Sequence, residues 1–96
     1  MQPLVISDVR IVKLTTAGAT ISWKTNRETT GKVNWGETLS YGANGLGGEA
    51  SLTTYSIDHT VEIPTLSSKT KYYFEVLATD MHNIETYDAY YSFTTP

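Results

Sequence analysis

The sequence predicts an all-β fold, a seven-stranded antiparallel β-sandwich, and three observations lead there. Thr, Val, Ile, Tyr and Trp are frequent, no segment sustains a 3.6-residue apolar period, and short alternating runs recur between turn-forming residues. The clearest run is Leu66 to Asp80. Read alternately, it sets Thr70, Tyr72, Phe74, Val76 and Ala78 on one side and Lys71, Tyr73, Glu75, Leu77 and Thr79 on the other. One apolar side and one mostly polar side, at a period of two, mark a strand half-buried in a sheet.

The other elements follow in chain order. After Pro3, Val9 and Ile11 alternate with polar neighbours in a first strand that Leu14 closes, and Thr16-Ala17-Gly18 is a turn. Ala19, Ile21 and Trp23 alternate against Thr20, Ser22 and Lys24 in a second strand, with Trp23 its largest core residue. Asn26 to Gly31 reads as a polar connection. Lys32 to Trp35 is a third strand with Val33 and Trp35 on one side, and Gly36 ends it. From Glu37 to Glu49 the glycines and Asn44 supply the left-handed positions that irregular loops use. Ala50 to Tyr55 makes a short strand, and His59 to Ile63 another, with Val61 and Ile63 inward. The Leu66–Asp80 segment comes next, His82-Asn83 marks a hairpin turn, and Tyr87 to Thr95 is the last strand.

A chain of 96 residues has room for one domain, here residues 1–96. It has no cysteine, so neither a disulfide nor a thiolate metal site can form and packing alone holds the fold. Seven basic residues scattered among ten acidic ones, for a net charge of −3, form no stripe that would track a phosphate backbone, so nucleic acid is not an expected partner. No apolar run approaches the roughly 20 residues of a membrane span, and membrane insertion is not expected. The opening Met1-Gln2-Pro3 does not read as a signal peptide. Pro3 and the closing Thr94-Thr95-Pro96 have the composition of linker edges, which suggests a module excised from a larger chain.

Ala19-Thr20-Ile21-Ser22-Trp23 resembles the second strand of fibronectin type III domains, and Val33-Asn34-Trp35-Gly36-Glu37-Thr38 the third strand and its exit, with Trp35 where Tyr is usual. Leu66-Ser67-Ser68-Lys69-Thr70-Lys71-Tyr72 resembles the tyrosine-corner segment of that family. Tyr73 to Asp80 is similar to its sixth strand, and Ser92-Phe93-Thr94-Thr95 to the end of its seventh. Thr29-Thr30-Gly31-Lys32-Val33, Ser40-Tyr41-Gly42 and His59 look like the variety found in microbial secreted proteins and before purple acid phosphatase catalytic domains. Two departures stand out: Ser67-Ser68-Lys69 replaces the usual Pro and Gly of the corner, and Asp80-Met81-His82-Asn83 lacks the Gly often found in that loop. The resemblance implies an immunoglobulin-like topology and an extracellular or cell-surface location. It also implies an accessory role beside neighbouring domains of the same polypeptide.

Motifs for chemistry are sparse. His59 and His82 have no metal-ligand spacing, and both read as surface or rim residues. Asp80, Glu85 and Asp88 flank the last hairpin without the tight acidic spacing of a calcium loop. There is no nucleophile elbow, and the stretch from Gly42 to Gly48 lacks the Gly-Lys-Ser/Thr ending of a phosphate loop. No catalytic residue, metal ligand or cofactor is therefore expected. Seven tyrosines exceed what one small core needs. Tyr73 and Tyr90 fall on outward positions, and Tyr41 and Tyr55 also read as facing solvent. Outward tyrosines serve cross-strand pairing or offer rigid contact area. The expected function is a non-enzymatic spacer that orients or stabilises neighbouring domains. The alternative is recognition of another protein or a polysaccharide through Tyr73 and Tyr90 or through the loop residues Met81, His82, Asn83 and Ile84.

Overall fold

The computed structural model describes residues 3–39 and 47–96, so the expected glycine-rich loop at Ser40, Tyr41-Gly42 and Asn44-Gly45 lies outside the described residues. Within them the chain is all-β. Five strands form one antiparallel sheet: β1 (Ile6–Leu14), β2 (Ala19–Gly36), β3 (Gly47–Ile63), β4 (Lys71–Asp80) and β5 (Glu85–Thr94). No helix of the described residues is long and apolar enough to cross a membrane.

The difference from the expected seven strands has a specific origin. The predicted second and third strands are the two halves of β2, and the predicted fourth and fifth are the two halves of β3. Asn26–Gly31, expected to be a connection, stays extended within β2, and residues 56–58 do the same within β3. Both strands bend where their register shifts. Lys24 pairs with Asp58, Thr29 with Ser56 and Gly31 with Leu52. Four residues of β2 (25–28) therefore lie across from one of β3 (57), and then one (30) from three (53–55). Unequal counts of this kind bend a strand without ending it.

The bend gives β2 two sets of neighbours. Its first half, Ala19 to Thr25, lies between β1 and the end of β3, with Leu14 opposite Ala19 and Ala19 opposite Ile63. Its second half, Thr29 to Gly36, lies between the start of β3 and β4, and β5 flanks β4 on the far side. The sheet curls so that the two halves enclose one core. Ile21, Trp23, Val61 and Ile63 come from the first region; Val33, Trp35, Phe74, Val76 and Phe93 come from the second. The alternation read from Tyr72 to Ala78 is kept, since Tyr72, Phe74, Val76 and Ala78 are all buried. Phe74 stacks on Tyr91 with ring centres 5.2 Å apart, and Phe93 packs against both Tyr72 and Phe74. Such offset and tilted pairs add stabilisation beyond the area they bury.

β1 departs most from its expected pattern. Its register slips between Ser7 and Arg10 and again between Ile11 and Lys13, and Asp8 takes a left-handed φ of 55°. The slips break the period of two, leaving Val9 half-buried and Ile11 and Leu14 exposed. Bulges of this kind also discourage an edge strand from pairing with another chain.

The segment before β4 forms the expected corner. The Tyr72 hydroxyl accepts the Ser67 N–H at 2.8 Å. Thr95 fastens the same segment from the last residues, donating its hydroxyl to the Ser67 carbonyl at 2.6 Å and accepting the Thr70 N–H at 3.0 Å. Lys69, within this segment, adopts a left-handed φ of 52°.

Two substitutions test this packing. Tyr72→Phe leaves the Ser67 amide without its side-chain acceptor and lowers stability by about 1 kcal/mol, read as a lower urea midpoint at unchanged m-value. A Cβ at Gly31 would lie 2.7 Å from Cζ2 of the fully buried Trp23. Gly31→Ala therefore displaces the indole, and thermal or urea unfolding will show a loss of about 1–3 kcal/mol, as overpacked cores do.

Candidate functional site

One end of the molecule is assembled from four separate stretches of chain, and its polar residues do the assembling. The hairpin between β4 and β5 is organised by Asp80, whose side chain is 3 % exposed. Its Oδ1 accepts the His82 N–H at 2.8 Å and the Ile84 N–H at 3.0 Å, while its own amide donates to the Ile84 carbonyl at 2.9 Å. The Asn83 amide closes onto the Asp80 carbonyl, with Asn83 at φ 62°, a conformation Asn tolerates better than most residues. The other oxygen, Oδ2, receives Nε and Nη2 of Arg27, reaching over from the bend in β2, at 3.3 and 3.2 Å. Burial pushes the Asp80 carboxyl upward, but the Ile84 and His82 amides and the Arg27 guanidinium outweigh it and hold the group below the ordinary carboxylate range.

Behind this ion pair lies a second polar layer. Thr25 and Thr29 are buried, and His59 is 1 % exposed. The Thr25 hydroxyl donates to the Arg27 carbonyl at 2.7 Å, and both threonine hydroxyls lie 3.2 Å from His59 Nε2. The imidazole stacks on Trp23, ring centres 5.1 Å apart and planes within 12°. Burial lowers the affinity of His59 for a proton, against the opposing pull of the Asp58 carboxylate and the Ser56 backbone. The amino-terminal segment joins the same end: Asn26 accepts the Val5 N–H at 2.8 Å and donates to the Pro3 carbonyl at 2.9 Å.

His59 is thus a correction to the expected rim position. Val61 and Ile63 face inward, and a period of two carries His59 to the same side. The sequence signal was present, but a polar residue at a strand start reads as exposed unless its partners are known. Those partners, Thr25 and Thr29, lie 34 and 30 residues away in sequence. Asp80 carried a weaker signal: an Asp at the start of a turn, here two residues before His82-Asn83, is a common organiser of tight turns.

The residues singled out from sequence do not converge. Met81, His82, Asn83 and Ile84 form the exposed turn, with Met81 64 % and Ile84 37 % accessible. Tyr73 pairs with Gly36 and Ser92 near the other end of β4, roughly 26 Å from Met81 along the strand. It is half-buried, and the Lys71 ammonium lies 5.2 Å from its ring centre. Tyr90 is 80 % exposed, at φ 71°, in a bulge where Ala89 and Tyr90 together face Glu75. Asp88 accepts a hydrogen bond from the Tyr91 hydroxyl, whose pKa that bond raises to about 12. Glu85 pairs across from Thr79. Asp80, Glu85 and Asp88 therefore serve three different structural purposes. Among the described residues no three His, Asp or Glu side chains gather as metal ligands do.

No protein-family model matches the chain, and a comparison with curated proteins finds no relative.

The arrangement presents a pre-set turn. Replacing Asp80 with Asn removes the charge that draws Arg27 inward and weakens the acceptor for the two turn amides. Hydrogen exchange at His82 and Ile84 should quicken by roughly tenfold, on the scale of a lost hydrogen bond, while amides at Val61 and Val76 keep their protection.

Proposed function

We propose that this chain is a non-catalytic accessory module of a secreted or cell-surface protein, one that spaces and orients the domains on either side of it. The observation that carries this reading is the way the polypeptide passes through the body. Pro3 to Val5 is fastened to Asn26 at the end that bears the β4–β5 turn. Thr95 and Pro96 are fastened to Ser67, Lys69 and Thr70 at the opposite end. The body measures 43 × 25 × 20 Å. A module threaded end to end separates whatever precedes it from whatever follows it. The hydrogen bonds at both ends limit how far those neighbours can swing.

The reading also takes the architecture as an immunoglobulin-like, fibronectin type III-related sandwich. Counted on either side of their bends, β2 and β3 each supply two strands, which brings five to seven. One layer then holds β1, the first half of β2 and the second half of β3. The other holds the first half of β3, the second half of β2, β4 and β5. The tyrosine corner at Ser67–Tyr72 supports the same assignment.

A second reading, recognition of a protein or polysaccharide, is favoured by Tyr90. A non-glycine residue at φ 71° costs about 1–2 kcal/mol, and here that strain leaves an aromatic ring 80 % exposed. Chemical-shift mapping of the labelled module against a glycan panel and against its flanking domains separates the two readings. The spacer reading expects no shifts with glycans, and shifts confined to residues 3–5, 26–27, 67–70 and 95–96 with the flanking domains. Glycan-induced shifts clustered on Tyr73 and Tyr90, or on Met81–Ile84, would overturn it in favour of recognition.

A further inference from the structure

We propose that the end of the molecule closed by His59 is an acid-sensitive latch: the neutral imidazole holds the bends of β2 and β3 to the β4–β5 turn, and its protonation releases them while the rest of the sheet stays folded.

The proton inventory of the site supports this. The Thr25 hydroxyl has one hydrogen, committed to the Arg27 carbonyl at 2.7 Å, so toward His59 it can only accept. The Thr29 hydroxyl reaches Thr25 Oγ1 at 3.4 Å and His59 Nε2 at 3.2 Å. If Nε2 carries the ring proton, it donates to the threonines, Thr29 donates on to Thr25, and every hydrogen in the cluster has an acceptor. The other tautomer would place its N–H at Nδ1, which has no hydrogen-bond partner. A buried N–H without an acceptor is rarer and costlier than a vacant lone pair, so the geometry selects the Nε2–H form.

The imidazolium must donate from both nitrogens. Nδ1 lies against Gly31, where a Cβ would sit 3.3 Å from it, and the Ser56 backbone favours the charged ring without giving Nδ1 a hydrogen-bond acceptor. The remaining charged groups around the ring do not supply one. On β2, Lys24 bridges Asp58 at 3.9 Å, and Arg27 is bonded to Asp80 of β4. On β3, the Asp58 carboxylate favours the charged ring, but its side chain is 81 % exposed and screened by solvent. The face of Trp23 offers a cation some attraction. Burial outweighs the Asp58 carboxylate and the Ser56 backbone and holds the His59 pKa below its ordinary 6.5.

Release would be local because the imidazole reaches the turn through a short relay of side-chain contacts. His59 bonds Thr25, Thr25 bonds the Arg27 carbonyl, Arg27 bonds Asp80, and Asp80 holds the His82 and Ile84 amides. The segments between them, 25–28 and 53–57, are where the β2–β3 ladder is interrupted. The window follows from the direction of the shift. Above about pH 6.5 His59 is neutral folded or unfolded, and the latch is fully closed. As pH falls below that, the open chain takes up a proton that the closed one refuses, and closure weakens until the closed-state pKa is reached. Asp80 acts in a separate and lower window, below its ordinary 3.8.

The test is hydrogen exchange with NMR on the whole chain between about pH 7 and pH 5. The His59 ring is expected to show the Nε2–H tautomer and to titrate below free histidine in the same buffer. Protection at residues 25–29, 56–59 and 80–84 is expected to fall by up to about tenfold per pH unit, the limit for one proton. Val33, Val61, Phe74 and Val76 should hold theirs. His59→Gln keeps a donor for the threonines without a titrating group, and should remove the acid response. If that variant does not fold, the wild-type titration decides alone. A His59 pKa at or above that of free histidine, equal loss of protection at tip and core, or an acid response retained in H59Q would each overturn the latch.

Discussion

The stacking of Trp23 against His59, with Gly31 beneath the edge of the indole, is the contact on which the rest of the structure depends. Trp23 is the largest side chain in the core with no exposed surface, and it sits on the first half of β2. Gly31 sits on the second half of the same strand, and a Cβ there would strike the ring. The indole therefore fixes how closely the two halves of β2 can fold toward each other. Because β2 pairs with β1, β3 and β4, that one spacing is passed to every strand but β5.

The same contact explains why a histidine and two threonines are buried at one end. A sheet that bends where its ladder is interrupted leaves backbone groups needing partners. Thr25 meets part of that need by donating to the Arg27 carbonyl, and the hydroxyls of Thr25 and Thr29 face His59. A wholly apolar set of side chains would fill the space but leave those groups unsatisfied. The opposite end solves a similar problem with hydroxyls alone, through Tyr72 and Thr95. Of the two, the first includes an imidazole, a ring that takes up a proton near neutral pH.

Much of the fold was legible in the alternation of residues. Ile21, Trp23, Val33, Trp35, Val61, Ile63 and the Tyr72–Ala78 set were read as inward and are buried. The hairpin at His82-Asn83 and the corner at Ser67–Tyr72 were also readable, because turn residues and a tyrosine at that spacing have local physical meaning. The strand count was less so. Asn26, Arg27 and Glu28 look like a loop because polarity is all that sequence offers there, yet their backbone stays extended between Thr25, paired with Ile6, and Thr29, paired with Ser56 and Asp80. The alternation in β1 misled for the converse reason, since two register slips rotate its side chains without any glycine or proline to mark them.

Of the candidate site, the sequence by itself determined the exposed turn from Met81 to Ile84 and the outward tyrosine at Tyr90, since both follow from strand parity and turn chemistry. What only the tertiary structure decided is the polar network beneath that turn. Arg27 meets Asp80 across 53 residues, and Thr25 meets His59 across 34. Each residue taken alone has the composition of a surface position. Their burial is a property of the set, because a polar side chain can leave water only when its hydrogen-bond partners come with it.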